Sequence, residues 1–330
     1  MQNRRKVLGT FTILILLLIA SIILSISIGS VKVSLSDIIS GILYNKGGNV
    51  GIIRDIRIPR VFMGVLVGAN LSVAGVLLQS VMRNPLADPG ITGISSGASV
   101  TVMLVMLYFP GSANMIPLLG FVGGLVACII IYALAWQNGI SAIRIILAGV
   151  AVNAMLGGVT SMISILNSDN LAGVLGWLNG NLGKKGWDDV KVMIIYTLVG
   201  LGVAMPLANN CNILAFGDKN AKSLGVNPNT QRIIISVVAV FLAGISTSYA
   251  GVIGFIGLVV PHISRLLMGS DHKILLPFSA LLGSTVLLIA DTIGRCLLSP
   301  YEIPVGVVMA VAGGPFFLFL LRRGEGSYGS

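Results

Sequence analysis

The chain alternates between long apolar runs and short polar joints, and ten of the runs read as membrane spans. They cover roughly 8–29, 61–82, 92–109, 115–136, 143–166, 190–207, 233–252, 255–268, 275–295 and 303–321. Most hold about twenty residues, the length a helix needs to cross a hydrocarbon core of roughly 30 Å. The second run is the plainest. Arg57 and Arg60 flank Ile58 and Pro59, an uncharged stretch runs to Met82, and a polar turn follows from Arg83 through Asn84, Pro85, Ala87, Asp88, Pro89 and Gly90. Pro85 and Pro89 lack a backbone N–H and push Asn84 and Asp88 out of the helical region, which predicts a span, a water-facing corner and a new span. Two places are irregular. The eighth run is short and holds Gly257 and Pro261, with Gly254 just before it. Residues 171–182 are apolar but too short to cross, which predicts a re-entrant or interfacial helix that protein must bury.

Composition fits this pattern. The 330 residues are 55% hydrophobic and 10% charged, against about 25% charged in soluble domains. The reading is an all-α polytopic membrane protein, one transmembrane domain over 1–330 with no water-soluble domain. Its 42 glycines suit close helix packing, as at Gly64 and Gly68 or Gly120 and Gly124. A net charge of +10 would suggest nucleic acid in a soluble protein. Here the charges fall in joints between apolar runs, so the membrane surface accounts for them and no nucleic-acid partner is expected. Arg4, Arg5 and Lys6 precede a run longer than the 7–15 residues of a signal-peptide core, so the segment reads as a retained first span. Ten spans put both ends on one side. With that side cytoplasmic, 12 of the 21 lysines and arginines lie inside and 9 outside, a bias of the expected sign. The outside set (Lys32, Lys46, Arg54, Arg57, Arg60, Lys184, Lys185, Lys191 and Arg295) is unusually cationic.

Candidate chemistry is sparse. Cys128, Cys211 and Cys296 lack CxxC spacing and read as packing residues. His262 and His272 are not at metal-ligand spacing, so no metal is expected. No P-loop is present, nor paired carboxylates, HExxH or GxSxG, so the chain has no visible catalytic engine.

Three constellations stand out. Arg54, Arg57 and Arg60, spaced by three, share one face of a helix. They serve either as headgroup anchors or as a dock for carboxylates of an external partner, and Arg295 can join them. The segment 208–232 places Phe216, Gly217, Asp218, Lys219, Ala221, Lys222, Ser223, Leu224 and Gly225 in a cytoplasmic loop, with a short helix over Asp218–Leu224. It is either an interfacial helix lying on lipid or a knob that inserts into a cytoplasmic protein. Glycines at 251, 254 and 257 precede Pro261, His262 and Arg265, a smooth helix face or a break. Asp291 is the one acid well inside an apolar run. It is a functional candidate by default, but Arg295 four residues on makes a local ion pair an equal reading.

The chain resembles the FecCD-type permease subunits of binding-protein-dependent ABC importers for iron–siderophore complexes, haem and cobalamin. The resemblance is carried by Arg57–Arg60, Gly68–Gly75, Gln79, Arg83–Gly90, Gly93–Ala98, Ser223–Gly225, Gly254–His262, Ala290–Asp291 and Pro304–Gly306, in order over nearly the whole chain. It implies a type II ABC importer-like fold of about ten transmembrane helices per subunit in a bacterial cytoplasmic membrane. A second permease copy or homologue, two cytoplasmic ABC ATPase subunits that bind the ATP and Mg, and an extracytoplasmic substrate-binding protein would complete the assembly. Arg57, Arg60 and Arg295 match the family's docking arginines, with Arg54 an addition. The loop around 208–232 matches its coupling segment, with Pro261, His262 and Arg265 a second contact. A ferric siderophore is the expected cargo, with haem or cobalamin as alternatives, moved by alternating access along a path to which Gly75, Gln79, Asn153 and Met155 are assigned. An ion-driven secondary transporter would instead call for internal repeats and midplane charges, and none stands out.

Overall fold

The computed structural model describes residues 4–29, 51–137, 141–183 and 185–324, so the expectations for Lys32, Lys46 and Lys184 lie outside the described residues. The described residues are mostly helical, with turns and short irregular segments between the helices. The helices are α1 (Arg4–Ser27), α2 (Ile58–Met82), α3 (Ile94–Tyr108), α4 (Ile116–Ala135), α5 (Ala142–Leu166), α6 (Leu171–Leu178), α7 (Trp187–Ala204), α8 (Ala208–Ala215), α9 (Asp218–Ser223), α10 (Pro228–Ala250), α11 (Ile256–Met268), α12 (His272–Cys296) and α13 (Val305–Gly324). Among the described residues seven helical stretches are long and apolar enough to cross a membrane, and three shorter apolar helices, α3, α11 and most of α13, bring the number to the ten expected runs. A π-helical turn, Ile52–Arg57, lengthens α2 at its start.

The core forms around α2. It packs against α7, α10, α11 and α12, and α1 closes the outside of α12. A second group, α3 with α4 and α5, joins through α10. In lipid there is no hydrophobic drive between helices, so close packing and buried polar contacts must hold them. Glycine pairs permit that packing. A Cβ on Gly75 would overlap the carbonyl oxygen of Gly257 in α11, and one on Gly68 would overlap that of Gly283 in α12. Between α2 and α7 the Asn70 amide donates to Thr197 Oγ1 at 2.9 Å in a buried site.

Local sequence ends the helices as expected at the α2–α3 corner. Arg83 caps α2 in the left-handed region (φ 46°). The Asn84 side chain accepts from Leu86 N–H at 2.9 Å, and Asp88, extended, accepts from Gly90 N–H at 2.7 Å. Burial raises the Asp88 carboxyl above its ordinary range. The glycine series after α10 is a break. Gly251 (φ 75°) and Phe255 (φ 66°) are left-handed and residues 251–254 are not helical. The end of α6 fills the space beside it: a side chain at Gly251 would strike the Trp177 carbonyl, and Asn181 N–H donates to Ala250 O at 2.7 Å.

Candidate functional site

Two charged clusters sit at opposite ends of α2. The first gathers the start of α2, the end of α12, the end of α1 and the segment before α13. Arg60 lies on α2 one turn past the π-helical segment, and its guanidinium grips Asp291 of α12 twice, Nε to Oδ2 at 3.0 Å and Nη2 to Oδ1 at 2.9 Å. Its third nitrogen, Nη1, donates to Glu302 Oε2 at 2.7 Å. Arg295, one turn after Asp291, pairs with it through Nε at 3.2 Å and donates from Nη2 to Ser25 Oγ (2.6 Å) and Ser25 O (3.0 Å) at the end of α1. Arg57 donates from Nη1 to Ile26 O at 2.6 Å and to Ser27 O at 3.2 Å. Helix C-termini leave carbonyls without intrahelical partners, and the two arginines supply donors there.

The arginines are therefore brought together, but not as a free dock. Arg57, Arg60 and Arg295 are 5%, 8% and 4% exposed, and Asp291 is 2% exposed. Of the four expected docking residues, Arg54 alone is exposed. The reason is desolvation: a cation at a helix end near lipid is costly unless it is paired, and Asp291 and the carbonyls of α1 are within reach. The local Asp291–Arg295 pair is present, inside a larger network that Arg60 joins. Glu302 and Ser25 were not singled out from sequence. They lie 242 and 270 residues from their arginine partners, and no local pattern links them.

The second cluster ties the short helix α9 to the bundle. Asp218 opens α9 after Gly217 (φ 97°). Its carboxylate accepts from Arg232 of α10, Nη2 to Oδ1 at 2.9 Å and Nη1 to Oδ2 at 3.2 Å, and is paired with Arg83 at the end of α2. Arg83 also donates from Nε to Leu214 O at 3.0 Å. Ala221 is buried beneath α9, whereas Lys219, Lys222, Ser223 and Gly225 are exposed. Phe216 and Leu224, on either side, are 66% and 62% exposed. Asp218 thus faces the bundle, and the outward surface is two apolar side chains with lysines between them. A neighbouring link was missed from sequence: Asn212 of α8 donates to Asp271 Oδ1 at 2.8 Å and accepts from His272 N–H at 2.9 Å. The Asn212 amide, with the Lys273 N–H, holds the Asp271 carboxyl below its usual range.

The remaining expected positions are spread over α2, α5 and α11. Gly75 and Gln79, expected on the path, have no free surface in this chain. Both are buried where α2 meets α11, and Gln79 Nε2 donates to Gly257 O at 3.3 Å. The glycine contact that makes α2 the centre of the bundle removes its surface. Pro261 is not at the cytoplasmic corner; it is buried within α11, which runs on to Met268, and the turn itself is Gly269–Asp271. His262 and Arg265 are half-buried on α11. Asn153 donates to Gly90 O at 3.0 Å, and Met155, 59% exposed, lies on the open face of α5. Among the described residues no group of three His, Cys, Asp or Glu side chains could hold a metal.

Comparison with known proteins agrees with this architecture. The sequence pattern of the FecCD transport family matches residues 17–323. The Fe(3+)-citrate import system permease protein YfmD of Bacillus subtilis is 39% identical over 316 residues, 96% of this chain and 95% of that one. A heme-iron transport system permease protein, IsdF of Staphylococcus aureus, is 36% identical over 324 residues, 98% of each chain. A metal-chelate type ABC transporter solved in an inward-facing conformation superposes with a TM-score of 0.85 at 27% identity, covering 97% of this chain and all of that one.

Proposed function

The chain belongs to the FecCD transport family, and from that premise we propose that it is the multi-pass permease of an ABC importer that carries a ferric chelate into the cell. The observation that supports this reading best is α9: a short helix clamped to α2 and α10 through Asp218, with Phe216 and Leu224 presented to water. Exposed apolar side chains flanked by lysines are poorly placed beside an aqueous face unless a protein covers them. The proposed cover is a cytoplasmic ATPase subunit, which binds the ATP and Mg; this chain contributes no hydrolytic residues. Pull on α9 passes through Asp218 to Arg83 and Arg232, and so to the central helix and its neighbour, which is the displacement alternating access needs.

At the other end the cationic cluster is the proposed landing area for an extracytoplasmic binding protein. Arg54 makes the first contact, and the buried set Arg57, Arg60 and Arg295 shapes the surface around it. A second permease copy or homologue completes the path, with Met155 on the exposed face of α5 as a lining residue. The cargo is a ferric siderophore or ferric citrate, the latter in keeping with the Fe(3+)-citrate relative. Haem is the second reading, in keeping with the heme-iron relative. The test is uptake into proteoliposomes holding the chain with its ATPase and binding protein, offered 55Fe-citrate, a 55Fe-hydroxamate or haem. Accumulation of a ferric chelate that needs both ATP and binding protein is expected. Uptake driven by an ion gradient without ATP would overturn the reading.

A further inference from the structure

The segment that carries α9 touches the bundle at a second place, away from Asp218. Helix α8 packs against both α2 and α12, and its Asn212 side chain reaches the start of α12. Nδ2 of that amide donates to Asp271 Oδ1 at 2.8 Å. Its Oδ1 accepts twice from His272, from the backbone N–H at 2.9 Å and from ring Nδ1 at 2.7 Å. A carboxylate only accepts and a backbone N–H only donates, so the amide has one orientation here, and the ring nitrogen that faces it carries the proton. The first N–H groups of a helix have no partner within it. Asp271 caps the Lys273 N–H at 3.0 Å from its own turn, whereas the His272 N–H is capped from α8. His272 is 6% exposed and its Nε2 makes no hydrogen bond to the described residues, so its ring is held through Nδ1 by Asn212.

The far end of α12 gives this hold its consequence. The helix runs 25 residues, about 37 Å, from His272 to the outer cluster, where Asp291 and Arg295 sit. Along its length it is fastened to α2. A Cβ on Gly68 would overlap the Gly283 backbone, Ser284 Oγ donates to Val65 O at 2.7 Å, and Arg60 grips Asp291. Helices α2 and α12 are therefore one packed body. The α8–α9 segment holds that body at two inner points, at Arg83 through Asp218 and at the start of α12 through Asn212. A body held at one point swivels about it; held at two, it follows the displacement of its holder.

We propose that Asn212 is a positioning residue for transport, a second anchor that makes α12 follow α8 and α9 when the ATPase subunits close; this rests on the ABC-importer reading above. The test uses the full chain with its ATPase subunits in lipid nanodiscs. Spin labels sit on Lys219→Cys of α9 and on Cys296 at the end of α12, both exposed, and Cys128→Ala and Cys211→Ala remove the buried thiols. The distance between the labels is read by electron–electron resonance without nucleotide and with ATP and vanadate. With Asn212 in place, one distance is expected, the same in both states. Asn212→Leu removes all three bonds and should make that distance shift or split between the states. Asn212→Asp with Asp271→Asn keeps three bonds with donor and acceptor exchanged, and should restore the single distance. Asn212→Ser, which withdraws the amide without adding bulk, serves if the leucine variant does not assemble. A distance that changes with nucleotide in the chain with Asn212, or that stays fixed without it, overturns the proposal. These distances need no cargo, so they stand whichever chelate is carried. The second readout is 55Fe-citrate taken up per ATP hydrolysed. Asn212→Leu should lower that ratio about tenfold, inside the ~5–150-fold range of coupling between sites, and the exchanged pair should recover most of it. Uptake and hydrolysis that fall together mean that Asn212 only stabilises the fold, and overturn the proposal. A transporter with Asn212 that hydrolyses ATP but takes up no 55Fe-citrate contradicts the cargo reading instead, and the distances then decide the anchor.

Discussion

Asp291 carries the outer cluster, because two arginines depend on one carboxylate that is 2% exposed. Removing its charge leaves Arg295 buried without a carboxylate and Arg60 with only the partly exposed Glu302. Asp291→Asn is therefore expected to cost about 3–5 kcal/mol, and Glu302→Gln, whose side chain is 40% exposed, no more than about 1 kcal/mol. Thermal unfolding in detergent should show the first as a large fall in midpoint and the second as a small one; equal effects would mean that the network is not organised around Asp291. Burial also decides which arginine to use when testing docking. Arg57→Glu or Arg60→Glu would break internal bonds, so loss of uptake in those variants would report misfolding as readily as lost docking. Arg54 is exposed, and Arg54→Glu should raise the binding-protein concentration needed for half-maximal uptake about fivefold with the assembled complex intact. An unchanged concentration dependence would return Arg54 to headgroup anchoring.

At the scale of elements, α9 and the α2–α11 contact make different demands. The α9 clamp is electrostatic and the exposed side chains that flank α9, Phe216 and Leu224, are apolar, so the two can be separated. Asp218→Asn should leave ATP hydrolysis by the assembled transporter near its wild-type rate while uptake falls about tenfold, and Asp218→Glu should restore much of it. Parallel loss of both activities would mean that Asp218 only stabilises the loop. Phe216→Ala with Leu224→Ala should instead weaken capture of the ATPase, by about 2 kcal/mol or roughly thirtyfold if the pair is a hot spot. The α2–α11 contact is steric. Gly75→Leu would drive a side chain into the Gly257 backbone, whereas Gly157 on α5 has open space around it. The first should abolish folded protein on size exclusion and Gly157→Ala should not; tolerance of both would show that α11 moves aside freely.

At the scale of the molecule, α2 with its π-helical turn is one 31-residue stretch from Ile52 to Met82, 83% buried over its apolar window. It joins the outer arginine cluster to Asp218, so displacement at one end is carried to the other through a single packed rod. Apolar run length and turn residues were enough to locate the ten runs, the proline-broken corner at Arg83–Gly90 and the short helix after Gly217, because span length and turn chemistry are local properties of the chain. The motif series carried the family for the same reason, being read in order along one strand of text. Facing was not local. Gly75 and Gln79 were expected on a path and lie buried, since nothing near them in sequence says that Gly257 will press against them. The arginines were expected outward and turn inward, since Arg60 meets Asp291 and Glu302 across 231 and 242 residues and Arg295 meets Ser25 across 270. The sequence determined which segments enter the membrane and which charges lie at each face, through the cost of placing polar groups in hydrocarbon. Tertiary structure decided which of those charges neutralise one another and which surfaces stay open, because pairing and packing depend on which helices become neighbours.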